Sequence, residues 1–186
     1  MLDIQYYKNF IDKEESANLY GSIFNQVPWQ EEYIKIFGNN IKCPRKVFWY
    51  GDIGINYKYS GVIHTTSGWI EIIKKLKDSI ESFIGNQFNF VLLNYYANGR
   101  DYMGWHSDNE ASLGINPIIA SISLGANRVM LFKNKKNNDI HKLDLDHGSL
   151  LVMHGQTQKC WLHSIPKRKN ILGPRINLTF RNIKNN

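Results

Sequence analysis

Two stretches of the chain repeat their apolar residues at helical spacing, and most of the remainder alternates. Asp12-Lys-Glu-Glu15 has the form of a capping box, and Leu19, Tyr20, Ile23, Phe24 and Val27 follow on one helical stripe until Pro28 stops it. A second helix is predicted from Ser67, as cap, to Gly85, as stop, with Ile70, Ile73, Leu76, Ile80, Phe83 and Ile84 on its apolar side. Both helices are expected to buttress a sheet and to carry no chemistry. Residues 29–61 fit neither period and are read as short strands and loops, dense in aromatic, basic and glycine residues. From residue 88 the pattern is that of strands. In the first, Phe88, Phe90, Leu92, Asn94 and Tyr96 share one face. Further strands are predicted at 118–124, 128–133, 140–145, 149–153, 159–165 and 176–181, each bounded by Gly, Pro or Asn. Many short strands with frequent turns predict a mainly β, α+β fold of the sandwich or jelly-roll kind.

The chain has 186 residues, 42% of them hydrophobic and 21% charged, which is ordinary for one globular domain and excludes disorder. One domain covering 1–186 is expected, without repeats or linkers. No basic leader or apolar run of membrane-spanning length is present, so the expectation is an intracellular, non-membrane protein. Cys43 and Cys160 are too few and too far apart for a disulfide framework and are read as reduced, buried packing residues. The net charge of +7 favours a polyanionic partner such as nucleic acid, and five Trp, ten Tyr and nine Phe add surfaces on which bases could stack.

The candidate chemistry begins at His106-Ser107-Asp108. Side chains two apart on an extended backbone point the same way, so the imidazole and carboxylate can reach one metal ion. A third ligand from a distant strand would complete the two-histidine, one-carboxylate face that leaves positions open on Fe(II). Of the other histidines, His163 is chosen, because it lies in a late strand just before the arginine-bearing terminal one. His147 and His154 are read as turn residues, and His64 and His141 as surface. On the terminal strand Arg175, Asn177, Thr179 and Arg181 share one face. On an edge strand that face would merely be wetted. Two guanidinium forks with a threonine between them also suit the two carboxylates of a dicarboxylic acid. With Asn94 and Tyr96 as further donors, they describe a site for 2-oxoglutarate beside the metal.

Taken together, Asn94-x-Tyr96, His106-x-Asp108, His163 and Arg175-x-Asn-x-Thr-x-Arg181 resemble the signature of the AlkB family of Fe(II)/2-oxoglutarate dioxygenases, which repair alkylated nucleic acid. The similarity is closest to the eukaryotic nuclear homologues acting on duplex DNA. It runs from about residue 37 to 181 through Pro44-Arg-Lys46, Tyr50-Gly-Asp52, Phe88-Asn-Phe-Val91, His147-Gly-Ser-Leu-Leu151 and Asn177-Leu-Thr-Phe-Arg181. The resemblance implies a double-stranded β-helix core over about 88–181 with an N-terminal nucleotide-recognition lid over about 29–61. It implies that His106, Asp108 and His163 bind iron, and that Asn94, Tyr96, Arg175, Thr179 and Arg181 hold 2-oxoglutarate. The implied reaction uses O2 to hydroxylate an N-methyl group, which leaves as formaldehyde, while 2-oxoglutarate becomes succinate and CO2. The substrate would be 1-methyladenine or 3-methylcytosine in DNA, single- or double-stranded. Alternatives are RNA, or a protein or small molecule as the substrate of the same chemistry.

A base inside a duplex must be flipped out to meet the metal. By motif match Tyr57 and Tyr59 would line the base pocket, and Phe37 would be the finger that fills the gap in the duplex. Arg45 and Lys46 would touch phosphates, and Glu110 would sit near a positively charged methylated base. The pattern is broken at Asn109, where the duplex-acting relatives carry aspartate, and at the loop 133–139, which is shorter than their basic loop. The family further implies a monomer, nuclear in a eukaryote and otherwise cytoplasmic.

Overall fold

The computed structural model describes residues 1–36, 39–59 and 62–184, and at 34–36, 40, 59 and 62 the backbone only. In chain order the elements are β1 (Ile4–Tyr7), α1 (Lys13–Gln26), β2 (Gln30–Ile36), β3 (Asn39–Gly51), β4 (Asn56–Tyr59), β5 (Val62–Thr65), α2 (Glu71–Ile84), β6 (Phe90–Tyr96) and β7 (Met103–His106). After a 3-10 turn at Ala111–Leu113 follow β8 (Ile119–Gly125), β9 (Arg128–Asn134), β10 (Ile140–Leu145), β11 (Ser149–Met153), α3 (Thr157–Cys160), β12 (Trp161–Ile165) and β13 (Arg175–Arg181). They form a seven-stranded sheet in the order β1-β11-β8-β13-β6-β3-β2, a four-stranded sheet β10-β9-β12-β7 and the separate hairpin β4-β5. Every named pairing is antiparallel, as the jelly-roll reading requires.

Alternation along the large sheet separates two cores. Ile176, Leu178 and Phe180 of β13, with Val91 and Leu93 of β6, pack outward against Ile23 of α1 and Ile73, Leu76 and Ile80 of α2. Phe90 and Leu92 of β6 pack inward with Met130 and Phe132 of β9 and Trp161 and Ile165 of β12, between the two sheets. The polar face of β13 points into that second space. β13 lies between β8 and β6, so it is a central strand and its polar side is not solvated as an edge would be.

The helices follow their caps. Asp12 accepts from the Glu15 amide at 2.8 Å and opens α1 as its capping box predicts. Gly85 ends α2 in the left-handed conformation, φ 67°. The start of α2 is three residues later than Ser67, as cap, predicts. Gly68 is bridged to Gly51 with φ +120°, and the Trp69 indole donates to Asp52 at 2.7 Å, so this segment is held against β3 before the helix can begin. Two other boundaries move for similar reasons. Phe88 leaves the predicted face for the helix-side core, because Asn89 exchanges two hydrogen bonds with Ile183. Residues 157–160 form a helical turn, so the strand expected from 159 starts at Trp161. Cys43 is buried and Cys160 only half-buried, and neither is in a disulfide. No helix among the described residues is long and apolar enough to cross a membrane.

Candidate active site

His163 on β12 and His106 at the end of β7 are direct cross-strand partners, with ring centroids 4.2 Å apart. Asp108 follows two residues on, and one ligand atom from each of the three lies within 4.8 Å of the others. The His106 Nδ1 is 2.9 Å from the Gly104 carbonyl. A carbonyl can only accept, so Nδ1 carries the proton and Nε2 keeps its lone pair for a metal. The Asp108 amide donates to Gln158 Oε1 at 2.9 Å, and its Oδ2 accepts from Arg181 Nη2 at 3.0 Å. Its Oδ1 is buried and has no hydrogen-bond partner among the described residues.

Protonation matches this geometry. Burial alone would push Asp108 up, but the Arg181 guanidinium and the two imidazoles hold it below the usual carboxylate range. Burial pushes His163 down to about 3 and lowers His106 as well. Two neutral imidazoles, an ionised carboxylate and one buried oxygen without a partner form a donor set that fits Fe(II). A pH dependence follows. His163 takes up its proton near pH 6.5 when unfolded and near 3 when folded, so the unfolded chain binds more protons between those values. The metal-free protein should hold this contribution in full above pH 6.5 and lose about 1.4 kcal/mol per pH unit below it, with the lowered Asp108 and His106 acting in the same direction. Denaturant midpoints that stay flat from pH 7 to 4 would contradict this.

Beside these three residues, the inward faces of β6 and β13 line the same pocket with Asn94, Tyr96, Arg175, Asn177, Thr179 and Arg181. Arg175 is only 1% exposed, and its Nη2 donates to Ser123 Oγ at 2.9 Å. Its Nε and Nη1 have no hydrogen-bond partner among the described residues. Burial lowers Arg175 to about 10, so it is still a cation at neutral pH. A buried cation with two unused donors is a site shaped for a carboxylate. The Tyr96 ring lies between Arg175, 5.4 Å away, and Arg128, 5.5 Å away. Arg128 is anchored by the carbonyls of Asn98, Asp101 and Pro166. Asn177 is held by Ser121 and the Ile122 carbonyl, and accepts from Thr179 Oγ1 at 3.0 Å. Of the two arginines of β13, Arg181 donates to Asp108 through Nη2 and Arg175 to Ser123 through Nη2.

The expected substrate residues are placed less uniformly. Asn109 is exposed and Glu110 half-buried, directly after Asp108. Burial, and then the Asp108 charge, raise Glu110. Tyr57 is fully buried, 4.9 Å from Phe90 and 5.5 Å from the Arg181 guanidinium, with its hydroxyl facing the Glu110 carboxyl. Tyr59 lies in β4 opposite Val62, but its side chain is outside the described residues, as is all of Phe37. Lys46 is exposed, as a phosphate contact would need. Arg45 is corrected: it is buried, 3.6 Å from the Glu32 carboxylate and bonded to Asn94, so its charge is engaged inside the protein and not at a backbone phosphate. His64 is corrected too. It is 1% exposed, against the Trp49 ring and 3.3 Å from Glu32, because β5 folds it inward. Sequence reading missed Gln158, which steadies Asp108, and Arg128 beneath Tyr96. Gln158 belongs to no motif, and Arg128 reads only as the first residue of a strand.

Open coordination beside an anion-seeking cation is what an iron oxygenase needs if it takes an oxo acid as co-substrate. The model of the 2OG-Fe(II) oxygenase superfamily matches residues 3–181. The DNA oxidative demethylase ALKBH2 of Bos taurus is 39% identical over 176 residues, covering 87% of this chain and 63% of its own. That of Homo sapiens is 38% identical, covering 87% and 67%. The alpha-ketoglutarate-dependent dioxygenase alkB homolog 3 of Bos taurus is 38% identical over 184 residues, 94% of this chain and 64% of that one. The chain therefore spans about two thirds of the length of these relatives. The structure of OsALKBH1 superposes with a TM-score of 0.65 over 97% of this chain and 98% of that one, at 16% identity, and bears on the fold alone. This chain belongs to the 2OG-Fe(II) oxygenase superfamily and, within it, to the AlkB family.

Proposed function

We propose that the protein is a DNA repair dioxygenase that removes N-methyl groups from bases such as 1-methyladenine and 3-methylcytosine. The observation that carries the reading is one pocket lined by the facial ligand set and by every residue expected to hold 2-oxoglutarate. His106, Asp108 and His163 would hold Fe(II), and Asn94, Tyr96, Arg175, Thr179 and Arg181 would receive 2-oxoglutarate, with Arg181 also bracing Asp108. Iron bound there would supply, with O2 and 2-oxoglutarate, the two-electron oxidation of the methyl group. The protein supplies the rest. Gln158 and Arg181 fix the carboxylate, Gly104 fixes the His106 tautomer, and the apolar inner core with Met103, Met130 and Met153 at the pocket excludes water. DNA as the substrate is supported by the DNA oxidative demethylases among the relatives and by the net charge of +7, which draws a polyanion. Asn109 and Glu110, next to Asp108, would meet the base. Residues 29–61 would form the lid, with Tyr57 and Tyr59 on its base side and Phe37 as its finger.

Purified protein with Fe(II), 2-oxoglutarate and a 1-methyladenine oligonucleotide is expected to release formaldehyde and succinate in equal amounts. Matched single- and double-stranded substrates then rank the two forms. Turnover of 2-oxoglutarate that no N-methylated oligonucleotide stimulates would move the substrate to another class of molecule.

A further inference from the structure

Glu32 is 6% exposed, and nothing in the chemistry above uses it. Its Oε2 is 3.6 Å from Arg45 Nη2 and accepts from the Cys43 thiol at 3.6 Å, while its Oε1 lies 3.3 Å from Nε2 of the buried His64. Arg45 passes the contact on, its Nε–H donating to Asn94 Oδ1 at 2.6 Å. A polar route therefore runs from β2 through β3 to the pocket face of β6.

The local backbone explains the inward turn. Between the pairs Glu31↔Lys46 and Tyr33↔Lys42, β2 advances two residues and β3 four, and the surplus contains Pro44. Proline cannot donate to the ladder, and a bulge re-aims the side chains around it. Cys43 and Arg45 on either side are both buried. A guanidinium can only donate, so it commits the Asn94 oxygen and turns the Asn94 NH2 group the other way, toward the space shared with Tyr96 and Arg175. With the amide reversed, the pocket would present an oxygen to an anionic guest.

We infer that Glu32 is a positioning residue for the co-substrate: it holds Arg45 so that the Asn94 amide is fixed with its donors toward the oxo acid. This rests on the reading of the pocket as the 2-oxoglutarate site. A carboxylate that only closed the β2-β3 hairpin would affect melting and leave ligand affinity alone.

The test is calorimetric titration of 2-oxoglutarate into the protein with Mn(II) in place of iron and air excluded. Glu32→Gln is expected to weaken 2-oxoglutarate binding about tenfold, the scale on which second-layer partners act. Mn(II) affinity measured without 2-oxoglutarate should stay at the wild-type value, and Glu32→Asp should recover most of the loss. Arg45→Lys keeps the charge beside Glu32 but has no Nε–H for Asn94; it should show the same weakening, and it decides the matter if Glu32→Gln does not fold. Wild-type affinity for 2-oxoglutarate in either folded variant overturns the inference. Wild-type protein that takes up Mn(II) but no 2-oxoglutarate would instead remove the reading of the pocket on which it rests.

Discussion

Replacing His106 with alanine is expected to end formaldehyde release from a methylated oligonucleotide while leaving the protein folded. His106 is half-buried at the end of a four-residue strand, and its partners are the Gly104 carbonyl and the His163 ring, so its removal leaves no buried charge unpaired. The donor set, in contrast, falls from three to two. Loss of an outer partner of a ligand costs roughly 10–100-fold in metal affinity, and loss of a ligand itself should exceed that. Titration of Mn(II) into the variant should show weakening of more than about a hundredfold, with an unchanged circular dichroism spectrum. Retained turnover at limiting iron would mean that His106 is not a ligand.

How far the sequence reveals this site depends on how local each determinant is. The alternation of β13 is a property of seven consecutive residues, and by itself it puts Arg175, Asn177, Thr179 and Arg181 on one side of the strand. The pairing of His163 with His106 could be chosen only because a late strand next to the arginine strand was the economical place for a third ligand. What the pairing partners do to each other was not legible. Arg181 and Arg175 look equivalent in the chain, yet one is tied to Asp108 across 73 positions and the other is left with open donors. Glu32 sits in the polar run Gln30-Glu-Glu32 and reads as a solvated charge, and His64 lies among threonines and reads as surface. Both are buried by a bulge at Pro44 and a hairpin fold, which depend on register between distant segments and not on local composition.

The same distinction explains why the substrate side is less sharply defined than the metal side. Ligands to a metal must converge within a few ångströms, so a correct motif predicts a tight cluster, and one is found. A base pocket tolerates many arrangements of aromatic rings. Tyr57 carries the expected residue type but is buried against Phe90, with only its hydroxyl directed at Glu110. It therefore contributes through that hydroxyl and through the shape of the wall, and stacking on a base would fall to other rings.

Arg175→Met should raise the melting temperature of the ligand-free protein and at the same time abolish its response to 2-oxoglutarate. Arg175 is fully enclosed, and its guanidinium donates to Ser123 with the Tyr96 ring 5.4 Å away. Removing it forfeits about 1 kcal/mol for that bond and about 0.5–2 kcal/mol for the ring contact. Keeping it costs several kcal/mol, the desolvation of an ion without a counter-charge, and methionine fills a similar volume without that cost. The net gain is about 1 kcal/mol, or roughly 2–4 °C in a domain of this size. With 2-oxoglutarate at a hundred times its dissociation constant, the wild type should gain about 2.7 kcal/mol and overtake the variant, whose melting point should not move. The two melting curves would thus exchange order when the oxo acid is added. A variant less stable than the wild type that still shifts with 2-oxoglutarate would show that the carboxylate is bound elsewhere. The exchange would identify the buried charge as stability given up for binding, which is how a site held ready for an anion differs from a packed core.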